Sequence, residues 1–340
     1  MTPSLSMGEI RMEIEKQHGQ PNVVVLGGGT GLPVVLRGLK TYPLNLTAIV
    51  TVADDGGSSG KLREEMNMLP PGDIRNVLVA LADMEPLLEK MIQHRFNNGS
   101  GLSGHTLGNL IIAALTEISG DFVKAVHAFS HVFAVAGNVL PVSEERITLV
   151  AEMMDGRVIR GESKIPHAGQ PIRRVYLEPR QPHPLPDTIQ AIEEADLIVI
   201  SPGSLYTSTL PTLMVPGVVD AMADARAKVI YVCNVMTQPG ETDGFTVSRH
   251  LEVLYEHLQR PFVDAVLVNK RPIPDPLLRN YLEEGARPVP IDQQRLVELG
   301  VEILYGDLVS NQLLLHHDPD QVGAFLYNWL RENMEKWNGE

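Results

Sequence analysis

A strand that runs straight into a glycine turn and then a helix constrains this chain more than any other feature. Val23-Val24-Val25-Leu26 is apolar at every position, Gly27-Gly28-Gly29-Thr30-Gly31 follows at once, and Leu32, Val35, Leu36 and Leu39 then recur at helical spacing. A short strand without alternation belongs in a parallel sheet covered by helices on both faces. Leu46 to Val52 reads as a second such strand and closes a βαβ unit of about 30 residues, the usual size. The stretch Asp54-Asp55-Gly56-Gly57-Ser58-Ser59-Gly60 is expected to be irregular.

Helical stripes follow at Ile74, Val77, Leu78 and Leu81, with Asp73 placed to cap, then at Leu107 to Ile118 and Phe122 to Phe133. At Ile147 the period changes. Ile147 to Met153, an Asp155-Gly156 turn and Arg157 to Glu162 predict a hairpin, and Arg173 to Leu177 a further strand. Pro179, Pro182, Pro184 and Pro186 mark the far edge of this lobe. Buried strands resume at Leu197–Ile200, Val229–Cys233 and Val263–Val268, and Val322, Phe325, Leu326, Trp329 and Leu330 form a closing helix. The fold expected is α/β: a Rossmann-like, doubly wound, mostly parallel sheet with a small β-rich insertion near residues 143–185. One domain over 21–340 is expected behind a flexible leader at 1–20.

Composition narrows the function classes. With 28 basic and 42 acidic side chains among 340 residues, the net charge is −14, which argues against nucleic acid or anionic membrane as a partner through net charge. The single cysteine, Cys233, excludes an internal disulfide and a cysteine zinc cluster, favours a reducing compartment, and reads as a packed thiol. No apolar run reaches the roughly 18 residues of a membrane helix, and Met1 to Gln20 lacks the apolar core of a secretory signal. A cytoplasmic protein without membrane insertion is expected. His127 and His131 have metal-ligand spacing but no acidic or cysteine companion, so no residue is assigned to a metal.

Ligands of doubly wound sheets bind beyond the carboxyl ends of the strands, and every unusual loop here occupies such an end. Gly28, Gly29, Thr30 and Gly31 offer backbone N–H groups at a helix start, suited to a phosphate. Leu32 replaces the third glycine of the dinucleotide fingerprint and no Walker lysine follows, so a tight packing turn is the competing reading. Asp54, Asp55, Ser58 and Ser59 suit a ribose hydroxyl, a magnesium ion or a solvated turn. Asp73 is either a helix cap or a ligand contact; Arg75 either forks onto a phosphate or forms a surface ion pair. His105, with Thr106 and Asn109, is a phosphate donor, an acid–base group or a histidine satisfied by backbone. Ser201, Gly203, Ser204, Tyr206 and Thr207 form a second phosphate cradle or a hydroxyl-capped turn. Asn234 and Asn269 each pair a donor with an acceptor, suited to a base or sugar.

Together, Val-Leu-Gly-Gly-Gly-Thr-Gly at 25–31, Ala-Asp-Asp-Gly-Gly-Ser-Ser-Gly-Lys-Leu-Arg at 53–63, Pro-Pro-Gly-Asp-Ile-Arg at 70–75, Ser-Gly-His-Thr-Leu-Gly-Asn at 103–109 and Ser-Pro-Gly-Ser-Leu-Tyr-Thr-Ser at 201–208 resemble the bacterial gluconeogenesis factor family. That family is related to the 2-phospho-L-lactate transferase that assembles the deazaflavin coenzyme. The resemblance implies a cytoplasmic protein that binds UDP-N-acetylglucosamine or another UDP-sugar. It also implies a role in cell shape and wall synthesis during gluconeogenic growth, through cell-wall synthesis or signalling proteins. In the transferase relatives, the acid matching Asp73 holds the deazaflavin acceptor with magnesium assisting, and Tyr281 matches a tyrosine near the nucleotide sugar. His316-His317-Asp318-Pro319 departs from the Arg-His-Asp-Thr of relatives. The acidic surface and the Trp329/Trp337 helix fit a homo-oligomer.

Three readings follow from different classes. The first is a nucleotide-sugar-binding regulator without turnover, since the sequence displays no nucleophile–base pair. The second is a magnesium-dependent transferase of a phospholactyl-type group, with Asp54, Asp55 and Asp73 on the metal and His105 moving a proton. The third, a nicotinamide dehydrogenase, is weakened by the missing third glycine, although NAD as an adventitious occupant fits the same loops.

Overall fold

A computed structural model describes residues 19–99, 101–309 and 317–337. Residues 1–18 of the expected leader and His316 lie outside the described residues. Seven parallel strands form the main sheet in the order β10-β9-β8-β7-β1-β2-β3. These are β1 (Asn22–Gly27), β2 (Asn45–Val50), β3 (Asn138–Pro141), β7 (Leu197–Ile200), β8 (Lys228–Val232), β9 (Ala265–Asn269) and β10 (Glu302–Gly306). Val23 to Leu26 and Leu197 to Ile200 are buried to 1% exposure or less, which is why these strands lack alternation. The strand order reverses between β1 and β7, so the sheet is doubly wound with its switch point there.

The insertion is a three-stranded antiparallel sheet, ordered β5-β4-β6, from β4 (Thr148–Met153), β5 (Val158–Arg160) and β6 (Ile172–Glu178). Its hairpin turns on Gly156, whose φ of +85° suits glycine. A tight helical turn, Glu162–His167, links β5 to β6.

The first helix, α1 (Gly31–Leu39), is sealed by the long C-terminal helix α13 (Pro319–Trp337). Gly38 and Gly323 meet where they cross: a β-carbon on Gly38 would lie 1.9 Å from the Pro319 carbonyl oxygen, and one on Gly323 would lie 2.4 Å from the Gly38 carbonyl carbon. Tyr42 and Tyr327 stack beside the crossing with ring centroids 4.3 Å apart.

Two local expectations change. Of the stretch expected to be irregular, Asp54 to Gly56 is so, but Gly57 to Gly60 opens helix α2 (Gly57–Glu65). Its poor helix formers are tolerated because they pack: Ser58 and Ser59 are buried, and a β-carbon on Gly60 would lie 2.1 Å from the Asp55 carbonyl oxygen. Asp73 does not cap α3 (Gly72–Leu81); Pro71 occupies the cap position and Asp73 reaches elsewhere. The outer strands β3 and β10 were not apparent in the sequence: both are short, and β10 is broken by exposed Glu302 and Tyr305.

Candidate functional site

At the switch point the two turns interlock. A β-carbon on Gly27 would lie 2.2 Å from Ser201 Oγ, and one on Gly31 would lie 1.7 Å from the Pro202 carbonyl oxygen. Glycine is required here for close approach of two backbones. Asn234, at the end of β8, accepts from Gly203 N–H at 3.0 Å and donates to Gly203 C=O at 2.7 Å. Both ends of its amide thus brace the second turn. Ser201 Oγ is buried with no hydrogen-bond partner, and Ser204 Oγ accepts from Gln238 Nε2 at 2.8 Å.

Each expected phosphate cradle already holds a carboxylate of the chain. Asp73 Oδ2 accepts from Gly29 N–H at 3.0 Å and, with Thr51, fills the space above Gly28. Thr30 is exposed and makes no capping bond. At the second turn, Glu241 accepts from Thr207 Oγ1 at 3.1 Å and from the backbone N–H groups of Tyr206 and Thr207. Its other oxygen, Oε2, is buried without a partner, as is Gln238 Oε1. Burial pushes Glu241 up to about 7, and burial together with neighbouring Asp54 brings Asp73 up to about 7.

The acids after β2 divide their labour as two adjacent side chains on an extended chain must. Asp54 accepts from Gly56 N–H at 2.9 Å and from Ser59, beneath Gly72, and burial raises its pKa. Asp55 faces the small sheet, where it accepts from Ser163 N–H at 2.9 Å and abuts Gly161. That contact brings Glu162 over the site. Burial, then the charges of Asp54 and Asp73, push Glu162 up to about 8. On the opposite side Gly240 packs on the Pro166 carbonyl, where a β-carbon would lie 2.5 Å from the oxygen. The lobe is thus clamped to loops following both β2 and β8.

These acids give the fold a pH signature. Unfolded, they titrate near 4; folded, Asp73 and Glu241 hold protons to about 7 and Glu162 to about 8. The folded state binds more protons in between, so stability falls as pH rises through that interval. Burial lowers the pKa of His250 and His257, which slope the other way below about 6.5, where unfolded histidine protonates. Between pH 7 and 8.5 the acids dominate, with buried Cys233, pushed up to about 12, adding to the same slope near the upper end, and a melting temperature lower by about 5 °C at the upper end than at pH 6.5 is expected. Asp73→Asn combined with Glu162→Gln should flatten the profile; an unchanged slope in that variant would refute the assignment.

A buried polar network joins α2 to helix α5 (Leu107–Ser119). Arg75 Nη1 donates to Thr106 Oγ1 at 2.5 Å and Asn109 Oδ1 at 2.9 Å, and its Nη2 donates to Asn76. Arg75 is therefore buried within this network and forms no surface ion pair. Asn109 Nδ2 donates to Ser58 Oγ at 3.0 Å, and Ser58 Oγ lies 3.1 Å from His105 Nδ1. Thr106 caps α5 by accepting from Asn109 N–H. A serine–histidine contact across 47 residues was invisible in the sequence.

The remaining candidates stand further off. Asn269 is consumed locally, donating to Arg271 C=O and accepting from the Arg271 and Leu308 N–H groups. Tyr206 is buried against Phe245 and His257, and burial pushes it up to about 12. Tyr281, on the helix Asp275–Glu283, packs with Met236, Ala286 and Leu278. Beside it a cleft of about 220 Å³ opens beyond β8 and β9, walled by Val235, Pro272, Ile273, Pro288 and Val289 with Asn234, Asn269 and Arg271 at its polar margin. Sequence reasoning missed Glu162, Gln238 and Glu241. The only signal for the last two was their position just after β8, on the rim where the other loops converge.

The sequence profile described as 2-phospho-L-lactate transferase CofD matches residues 23–309, from the first strand to just past β10. This chain belongs to the CofD family. Among CofD-family relatives it is 53% identical over 314 residues to the gluconeogenesis factor of Bacillus subtilis, covering 92% of this chain and 99% of that one. It is 54% identical over 302 residues to the gluconeogenesis factor of Halalkalibacterium halodurans, covering 88% of this chain and 94% of that one. The crystal structure of protein BH3568 from Bacillus halodurans superposes with a TM-score of 0.88 at 53% identity, over 90% of this chain and 99% of that one. No helix among the described residues is long and apolar enough to cross a membrane.

Proposed function

We propose that this chain binds a nucleoside diphosphate sugar, with UDP-N-acetylglucosamine the leading example, along the carboxyl rim of the main sheet. The observation that carries the reading is the interlocked pair of turns at the β1/β7 switch point. Ser201 Oγ, Gln238 Oε1 and Glu241 Oε2 add buried atoms without partners in the loops after β7 and β8. Gln238 Oε1 is an acceptor that calls for a donor, and Glu241 Oε2 accepts when ionised and donates when protonated; sugar hydroxyls serve both. The cleft beyond β8 and β9 suits a flat base, with Asn269 and Arg271 at its edge. NAD, another dinucleotide diphosphate, remains an adventitious occupant under this reading.

The physiological role proposed is support of cell shape and wall synthesis during gluconeogenic growth. It would be exerted in the cytoplasm, by a homo-oligomer, through wall-synthesis or signalling proteins. The naming of the relatives as gluconeogenesis factors supports it. Isothermal titration with UDP-N-acetylglucosamine tests the binding step. Heat that saturates is expected, and none at millimolar ligand would reject it.

One observation favours a second reading, transfer of a phospholactyl-type group. Asp73, Glu241 and Glu162 hold exchangeable protons near neutrality, and the charges of Asp73 and Glu241 both act on Glu162, as a cluster of acid–base groups requires. Among the described residues no group of three or more His, Cys, Asp or Glu is arranged to hold a metal. Magnesium, however, is often held by one or two carboxylates plus substrate phosphates, and Asp54 and Asp73 supply that pair. When bound it would neutralise charge on a diphosphate. Magnesium-dependent release of nucleotide from a UDP- or GDP-linked donor, lost in Asp73→Asn, would establish this reading; an intact donor after long incubation would exclude it.

A further inference from the structure

The network that ends on His105 fixes more than the histidine's position. Arg75 is a pure donor, so Asn109 must present its oxygen to Arg75 and its amide nitrogen to Ser58. Ser58 Oγ accepts from that amide, and the arrangement in which it then gives its own proton to His105 Nδ1, 3.1 Å away, is the one in which the ring faces outward as a donor. In that arrangement Nδ1 is an acceptor and the imidazole carries its hydrogen on Nε2. His105 is only 5% exposed, yet its Nε2 has no hydrogen-bond partner among the described residues and is not among the buried unpartnered atoms, so it reaches open space. A directed N–H donor thus stands between the starts of two helices, α2 of nine residues and α5 of thirteen.

Two cations frame the same corner. Lys61 Nζ donates to Ser103 C=O at 3.2 Å and would lie 3.4 Å from a β-carbon on Gly104. Arg95 Nη1 donates to Gly104 C=O at 2.6 Å and would lie 3.8 Å from a β-carbon on Gly57. Gly57 and Gly104 are the residues immediately before Ser58 and His105. Among the described residues neither cation has a carboxylate within ion-pair distance, in a chain with a net charge of −14. Unlike the glycine turn and the Ser204 turn, whose N–H groups hold Asp73 and Glu241, this corner sets its charges toward an anion from outside.

We infer that this corner is an oxyanion seat for a phosphate group, received by the Nε2–H of His105 and flanked by Lys61 and Arg95. The phosphate comes either from the far end of a ligand lying along the rim or from a second, small phosphorylated molecule. The seat stands on its own residues and not on the nucleotide-sugar reading. His105 is then a positioning donor, not a base.

Imidazole ¹⁵N NMR of the full chain, titrated with inorganic phosphate, tests it. The free protein should show His105 as the Nε2–H tautomer, and phosphate should shift that ring. Lys61→Ala/Arg95→Ala, two exposed sites, should keep its fold and weaken phosphate by about tenfold or more. His105→Gln, which restores a donor near Nε2, should retain more affinity than His105→Leu. An Nδ1–H tautomer, an unmoved His105 signal, or equal phosphate affinity in the double variant would each overturn the seat. Repeating the titration with saturating UDP-N-acetylglucosamine separates the sources: competition means one ligand reaches the seat, and simultaneous binding means two. If no nucleotide sugar binds but the phosphate response persists, the seat survives and the nucleotide reading fails.

Discussion

Gly31→Ala should lose about 3 kcal/mol of stability together with nucleotide-sugar binding. The added β-carbon would lie 1.7 Å from the Pro202 carbonyl oxygen, 2.5 Å from its carbon and 3.3 Å from Gly203 N. All three are backbone atoms, so no side chain can swing aside. The loop cannot retreat freely either, because Asn234 grips Gly203 through both N–H and C=O. Gly203→Ala is the matched control: its β-carbon would meet Ser208 Cβ at an ordinary 3.5 Å. Thermal melts should place Gly31→Ala roughly 4 °C below the parent, with Gly203→Ala close to the parent. Equal melting of the two variants would show that the turns are not interlocked as described.

Gly323→Ala should also be strongly destabilising, with a sign opposite to that of helix propensity. Alanine inside a helix ordinarily gains about 1 kcal/mol over glycine. Here its methyl would fall 2.4 Å from the Gly38 carbonyl carbon, 2.5 Å from its oxygen and 2.7 Å from its α-carbon, at the crossing of α1 and α13. Separating the helices would also disturb the Tyr42–Tyr327 stack. A net loss of about 3 kcal/mol is expected by chemical denaturation. A gain in stability would mean that the helices do not touch there.

The central strands and the rim of loops were legible because full burial erases alternation and because glycine and proline punctuate strand ends. Helix α2 was not, since Gly57, Ser58, Ser59 and Gly60 oppose helix by propensity and are recruited by contacts with Asp54, Asp55, His105 and Asn109. The candidate site was legible as a set of places and much less as a set of roles. Asp73, Asn234, Arg75 and Asn269 were each open to ligand contact on residue type, and the structure gives each an internal partner 2.7–3.3 Å away. Those pairings span separations of up to 44 residues, which no local pattern encodes. Glu162 and Glu241 were missed for a related reason. A glutamate in a loop reads as solvated until a distant turn, Asp55 with Gly161 or Thr207, draws it under cover.

The contact between Gly38 and Gly323 joins positions 323 − 38 = 285 residues apart. Synthesis proceeds from the amino end, so the first helix waits through almost the whole of translation for the surface it packs on. The helix is made first and covered last. Ribosome-stalled chains that stop short of residue 323 should therefore expose that region to protease, whatever the remainder of the sheet has achieved.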